Sequence, residues 1–332
     1  MDALFVITIL IVIGALAFDF INGFHDTANA IATAVSTKAL KPRHAIILAA
    51  VMNFLGAMTF TGVAKTITKD IVDPFTLQNG SLVILAALIA AIFWNLLTWY
   101  YGIPSSSSHA IIGSIAGAAI AASGFTALNY NGFLKILQAL IFSPILAFVA
   151  GYIVYSIFKV VFKNNNLAKT NRGFRTFQIF TAALQAYTHG TNDAQKAMGI
   201  ITMALIANGF TTSTDIPFWV QFSCALAMGL GTSVGGWKII KTVGGKIMKI
   251  RPVNGVAADL TGAMIIFGAT YIHLPVSTTH VISSSILGVG ASHRLKGVKW
   301  GTAQRMLITW VITLPISATI AALCYLVLNM IF

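Results

Sequence analysis

Glutamate is absent from this 332-residue chain, cysteine occurs twice, and charged residues make up only 9% of it. Each shortage excludes something. A soluble domain carries roughly 25% charged residues, so this chain is not one. Cys224 and Cys324 lie in separate apolar stretches, a placement that supports neither a disulfide framework nor a zinc site. No H-E-x-x-H, G-x-S-x-G or C-x-x-C is present, which removes the usual signs of an intramembrane enzyme. The glycine-rich GLGTSVGG (229–236) lacks the Gly-Lys-Ser/Thr ending of a nucleotide loop and is expected to permit close helix approach.

What the chain has instead is apolar length. It is 57% hydrophobic, and continuous apolar runs recur that are long enough to span a bilayer. A β-barrel would alternate in segments of about ten residues, so the fold class is all-α: a polytopic membrane protein. Ten apolar segments are expected at 3–36, 44–64, 81–103, 105–125, 133–162, 176–209, 218–237, 253–273, 275–292 and 303–331. With breaks or re-entrant legs this means about 10–12 transmembrane helices. The N-terminal stretch lacks a basic region and reads as a membrane helix rather than a removed leader.

The net charge of +13 does not point to nucleic acid, because the basic residues sit in short loops. Lys38–Arg43, Lys163–Arg175, Lys238–Arg251 and Arg294–Lys299 fall on one side if each segment crosses once. The positive-inside bias makes that side cytoplasmic and puts both termini outside. Each half then crosses five times, so the halves would be inverted repeats: 1–162 and 176–332, joined by a basic cytoplasmic linker at 163–175. Outer loop 65–80 would correspond to inner loop 238–252. Segments 3–36 and 176–209 would each be about 50 Å long as helix, which predicts tilting, protrusion or breakage, with Gly23 and Gly190 as breaking points.

The motifs repeat with the halves. NGFHDTANA (22–30) matches HGTNDAQKA (189–197), placing Asp26 on Asp193, and GIPSSSSHAIIGS (102–114) matches HLPVSTTHVISSS (273–285), placing Pro104 on Pro275 and His109 on His280. Buried carboxylates and hydroxyl clusters in hydrocarbon are costly unless used. Proline ends one helix and lets another begin, and the start of a helix is a ready anion site. Ser106, Ser107 and Ser108 with Ser277, Thr278 and Thr279 are therefore the candidate anion ligands, against the alternative of serines bonding back to the preceding turn. Asp26 and Asp193, with Asn22, Thr27, Asn29 and Asn192, are the candidate cation ligands. Lys196, three residues after Asp193, is either an internal ion-pair partner or a further charge for the anion. His25 lies inside the first motif and is of the residue type used for proton exchange, whereas His109 and His280 read as packing residues. Asp19 and Asp259 have no counterpart in the other half.

At these residues the chain resembles the PiT family of inorganic phosphate transporters. The similarity runs nearly end to end and is most specific in DFINGFHDTANAIAT (19–33), WNLLTWYYGIPSSSSHAIIG (94–113), THGTNDAQKAMG (188–199) and LPVSTTH (274–280). The wording is closest to bacterial low-affinity phosphate permeases. The resemblance implies a prokaryotic inner-membrane symporter of orthophosphate with no cofactor, driven in that group usually by protons. Its substrate there includes a neutral complex of hydrogen phosphate with magnesium or another divalent metal. Animal-type members, coupled to sodium, carry membrane glutamates; Asn53 stands where the first would align, which leaves fewer fixed negative charges for sodium and favours protons or a metal–phosphate complex. Sodium at Asp26 and Asp193 stays open, as do sulfate as cargo, a passive anion channel and a homodimer. Phosphate, the coupling cation and membrane lipid are the expected partners, with no nucleic acid.

Overall fold

The computed structural model describes residues 3–77, 79–164 and 166–331. Among them are twelve α-helices: α1 (Ala3–Ser36), α2 (Pro42–Ala57), α3 (Gly62–Asp70), α4 (Gly80–Tyr101), α5 (Ser107–Ser123), α6 (Tyr130–Val161), α7 (Leu167–Ala207), α8 (Phe218–Val234), α9 (Trp237–Gly245), α10 (Pro252–Tyr271), α11 (Thr278–His293) and α12 (Trp300–Ile331). Short 3-10 turns at Phe125–Ala127 and Leu295–Gly297 precede α6 and α12. The only extended pairing among the described residues is an isolated bridge between Val72 and Leu128.

The element order of α1–α6 recurs in α7–α12, and the packing crosses between them. Helix α1 lies on α8 and α2 on α7; α5 lies on α12 and α6 on α11. Each half is therefore completed by the other. Exposed Ile, Leu and Val along α6 and α12, such as Ile141, Leu146, Leu307 and Val311, form the apolar outer surface that a bilayer requires.

Several boundaries differ from the sequence expectation. Helices α1 and α7 run unbroken through Gly23 and Gly190 for 34 and 41 residues. These glycines serve close approach instead. A Cβ at Gly23 would come within 2.5 Å of the Met228 carbonyl oxygen on α8, and one at Gly190 within 2.3 Å of the Asn53 carbonyl oxygen on α2. The breaks fall elsewhere, inside the expected spans 44–64 and 218–237. There α2 and α3 are bent by 68°, and α8 and α9 by 74°. At the second break Gly235 takes φ 74°, a left-handed conformation that ends a helix at little cost in glycine. The stretches 65–80 and 238–252, read as loops, thus contain most of α3 and α9. Helix α7 begins at Leu167, inside the stretch 163–175, because the Asn166 side chain caps it by accepting from the Ala168 and Lys169 amides at 3.0 and 3.2 Å.

By length and composition α1, α4, α6, α10 and α12 can each cross a membrane, and each bent pair would add one more span. Helices α5 and α11 have 17 and 16 residues, about 25 Å at ~1.5 Å per residue, short of ~30 Å of hydrocarbon. Their starts are buried, and the chain is built to place them there. Helices α4 and α10 end in matching left-handed turns at Gly102 (φ 65°) and His273 (φ 62°). The next amides close back on the helix, Ile103 to the Thr98 carbonyl at 2.9 Å and Leu274 to the Ala269 carbonyl at 2.8 Å. An extended segment through Pro104 or Pro275 then leads to the caps Ser106 and Ser277.

Two apolar cores flank this region. On α1 one contains Ile11, Ala15 and Phe18, and the other contains Ala28, Ile31 and Ala32. The polar stretch around Asp26 lies at the seam between them.

Candidate functional site

The four duplicated polar stretches converge at that seam. On one side the Asp26 carboxylate accepts from Ser107 Oγ at 2.6 Å and from Thr279 Oγ1 at 2.9 Å. The amide of Asn29 donates to the same Thr279 oxygen at 2.8 Å. This joins α1 to the starts of α5 and α11. On the other side the Asp193 carboxylate accepts from Lys196 Nζ at 2.5 Å and Thr278 Oγ1 at 3.0 Å, with Asn22 Nδ2 at 3.5 Å. Ser107 on Asp26 and Thr278 on Asp193 are counterparts in the two halves, so the carboxylate-to-helix-start contact is made twice.

Burial is nearly complete. Asp26, Ser108, Ser277, Thr278 and Thr279 are 1% exposed, and Asn22, Asn29, Ser106, Ser107, Asn192, Asp193 and Lys196 are 0% exposed. These side chains are closed off from the protein surface. The starts of α5 and α11 adjoin, since the rings of His109 and His280 in their first turns have centroids 4.6 Å apart. Two partial positive charges of about half a unit each thus face one small volume.

The expected ligands divide by what already occupies them. Ser106 accepts from the His109 amide at 3.1 Å and Ser277 from the His280 amide at 3.2 Å; both are helix caps first. Ser108 Oγ donates to the Val276 carbonyl at 2.8 Å. Asn192 donates to Thr270 Oγ1 and the Leu274 carbonyl and accepts from the Val276 amide, which ties α7 to α10 and to the segment before α11. Ser107, Thr278 and Thr279 instead point their hydroxyls at the carboxylates. Among the described residues Asn29 Oδ1 and Asn22 Oδ1 have no partner. The side chain of Thr27 lies outside the described residues.

Two histidines complete the site, and the sequence undervalued both. His25 Nδ1 is 2.6 Å from Asp26 Oδ1, and its Nε2 is 3.1 Å from Thr98 Oγ1. The Thr98 hydroxyl hydrogen is directed to the Trp94 carbonyl at 2.9 Å, so its oxygen accepts and His25 Nε2 carries a hydrogen. The contact with Asp26 then needs a second proton, on Nδ1 or on the carboxyl. His189 Nε2 stands 3.2 Å from Asp193 Oδ2, and its Nδ1 is 2.9 Å from Asn53 Oδ1. Asn53 is therefore one imidazole removed from Asp193. The signal was in the sequence as His-Asp at 25–26 and as His189 one helical turn before Asp193.

A profile of the phosphate transporter family matches this chain over residues 22–172 and again over 161–321. A Bacillus subtilis (strain 168) protein named as a probable low-affinity inorganic phosphate transporter is 83% identical, over 100% of this chain and 100% of its own length. A Rhizobium meliloti (strain 1021) protein of the same name is 45% identical over 94% of this chain and 93% of its own. A solved structure described as the sodium-dependent phosphate transporter superposes with a TM-score of 0.89 at 26% identity, covering 98% of this chain and 100% of that one.

Proposed function

This chain belongs to the phosphate transporter family, and on that premise we propose that it is a cation-coupled symporter of inorganic phosphate, with the proton as the favoured coupling ion. The observation that carries the reading is the pair of contacts from Ser107 to Asp26 and from Thr278 to Asp193. The hydroxyls at the two helix starts now donate to carboxylates. An arriving phosphate takes those donors, together with Thr279 and the positive helix ends. Each carboxylate then loses hydrogen bonds in a dry interior; Asp193 keeps Lys196 as its counter-charge, and Asp26 needs a cation. Anion and cation are thereby bound together or not at all, which is the physical basis of coupling.

The proton is supported by the His25–Asp26–Thr98 chain, which already holds one proton between ring and carboxyl. Sodium is the second reading, favoured by the unpartnered Asn29 Oδ1 beside Asp26 and Thr279 and by the likeness to a sodium-dependent transporter. Among the described residues no three His, Cys, Asp or Glu side chains converge as a metal site. A divalent metal would therefore arrive on the phosphate rather than find a protein cage. Lys196 is held by Asp193 and reaches the anion only if that ion pair opens.

Opposite orientation of the two halves, with the basic loops cytoplasmic and both termini outside, suits the exchange of packing partners between them. Rocking one half against the other would open the closed site to alternate sides. The test is uptake of labelled phosphate into proteoliposomes with proton and sodium gradients imposed separately and sulfate as competitor. Accumulation above equilibrium under one gradient supports symport. Equilibration alone under both would make the protein a channel.

A further inference from the structure

Where α6 ends and α10 begins, Tyr155, Lys159, Arg251 and Asn254 line a cavity of about 140 Å³. Every charged residue in its lining is basic. The fields of Lys159, Arg251 and Arg294 also converge on His293, whose Nδ1 is 2.7 Å from the Tyr155 hydroxyl oxygen. Among the described residues none of these lysines and arginines pairs with a carboxylate. The positive end of α10 adds to the field. Basic residues at helix ends are by themselves a membrane-topology signal, but a buried amide is not. Asn254 is 1% exposed. Its Oδ1 accepts from the Arg251 amide at 3.1 Å. Its Nδ2 is turned to the Tyr155 oxygen without a partner at hydrogen-bond distance among the described residues. Lys159 Nζ gives one hydrogen to the Ser292 carbonyl at 3.0 Å and keeps two. The cavity thus holds free donors and uncompensated positive charge. It is smaller than the ~300–1,000 Å³ of a pocket for an organic ligand, and suits a single phosphoryl group.

A second, larger groove of about 720 Å³ adjoins the first and shares Phe158, Phe162 and Thr170 with it. Its walls are aromatic. Phe174 on α7 packs against Phe158 and Phe162 with ring centroids 5.5 and 4.9 Å away, and Phe177 continues the surface. Next to it on α6, Val160 and Val161 are 76% and 62% exposed, immediately before the basic stretch that starts at Lys163. Exposed apolar side chains followed at once by lysines and arginines mark the edge of the hydrocarbon, where aromatic rings also gather. The basic cavity and the apolar groove therefore meet at the level of lipid headgroups.

We propose that this corner binds one anionic phospholipid, with its phosphate group between Lys159, Arg251 and Asn254 and an acyl chain along the phenylalanine groove. The site is separate from the one built on Asp26 and Asp193 and does not depend on the symport reading. Charge selects the lipid, as basic pockets between membrane helices select anionic headgroups. A zwitterionic lipid would bring an ammonium into a field with no carboxylate to receive it. Free inorganic phosphate shares the phosphoryl chemistry but would leave the phenylalanine groove unfilled. Lys159 belongs to the first half and Arg251 to the second, so a phosphate held between them ties the halves together beside the segment that joins them.

The experiment is native mass spectrometry of the full chain, delipidated in detergent and titrated with phosphatidylglycerol, phosphatidylcholine or inorganic phosphate. One phosphatidylglycerol is expected to bind at concentrations where phosphatidylcholine does not, and excess inorganic phosphate should not displace it. The double variant Lys159→Gln with Arg251→Gln should weaken that binding about tenfold or more, since each basic group near an anionic lipid contributes about fivefold. Lys296→Gln, which removes a charge from a neighbouring basic loop outside the cavity, should not. Equal affinity for the two lipids, unchanged binding by the double variant, or an equal loss in Lys296→Gln overturns the site. Complete displacement by inorganic phosphate overturns the lipid and leaves a site for the free anion. If the double variant does not fold, Asn254→Asp decides. It keeps the oxygen that accepts from the Arg251 amide and replaces the free donor with a negative charge. Phosphatidylglycerol binding should then be lost, and binding at the wild-type affinity overturns the proposal.

Discussion

Lys196 Nζ stands 2.5 Å from Asp193 Oδ1 with both side chains fully buried, three residues apart on α7. Asp193→Asn strands the ammonium without a countercharge. Breaking one partner of a buried pair costs about 3–5 kcal/mol, so the variant should unfold markedly earlier in a detergent thermal melt. The double variant Asp193→Leu with Lys196→Met should recover most of that stability and still fail to transport phosphate. Wild-type stability in the single variant would mean that Lys196 is charged by some other partner or not charged at all.

His25 bridges Asp26 and Thr98 at 2.6 and 3.1 Å. Glutamine at this position keeps a hydrogen-bonding side chain but cannot take up a proton. His25→Gln is expected to keep phosphate binding and to lose pH-gradient-driven uptake by about tenfold or more, the effect of ~1.4 kcal/mol. Uptake under a pH gradient at the wild-type rate would place the coupling proton elsewhere.

Much of this was legible beforehand because the physics is stark. A carboxylate or hydroxyl cluster inside an apolar run has few reasons to exist, so Asp26, Asp193 and the residues after Pro104 and Pro275 stood out. The helix breaks did not, because they are decided by packing. Gly23 and Gly190 look like weak points in sequence, yet their missing side chains let α8 and α2 approach, while the real bends fall after Ala57 and Val234. Capping roles were hidden for the same reason: four consecutive serines look equivalent until Ser106 is seen to hold the α5 start and Ser107 to hold Asp26. Asp19 appeared only as an aspartate without a counterpart; that its carboxyl oxygens have no hydrogen-bond partner among the described residues is a property of the folded interior.

That division between neighbouring serines can be measured. Ser106→Ala removes the cap of α5, worth about 1 kcal/mol, and should lower the melting temperature with little change in the phosphate KM. Ser107→Ala removes a donor from buried Asp26, so it should also lower stability, but unlike Ser106→Ala it should raise that KM by about tenfold or more, as a hydrogen bond to a charged group contributes roughly 1.5–3 kcal/mol. Equal effects of the two substitutions on KM would show that the α5 start acts as one unit and not through the Ser107 hydroxyl.

Helix α7 supplies its own control for the role of Gly190. Residue 173 on the same helix is an exposed glycine with nothing within 4 Å of an added Cβ. Gly173→Ala should therefore stabilise the protein by about 0.5–1 kcal/mol through helix propensity. Gly190→Ala adds the same methyl, but at 2.3 Å from the Asn53 carbonyl oxygen of α2. That oxygen belongs to a helix backbone and cannot move aside without carrying α2 with it, so overpacking of about 1–3 kcal/mol is expected. The displaced Asn53 also loosens its contact with His189, so phosphate uptake should fall along with stability. Thermal melts of the two alanine variants that shift in the same direction would remove close packing as the reason for a glycine at this point of α7.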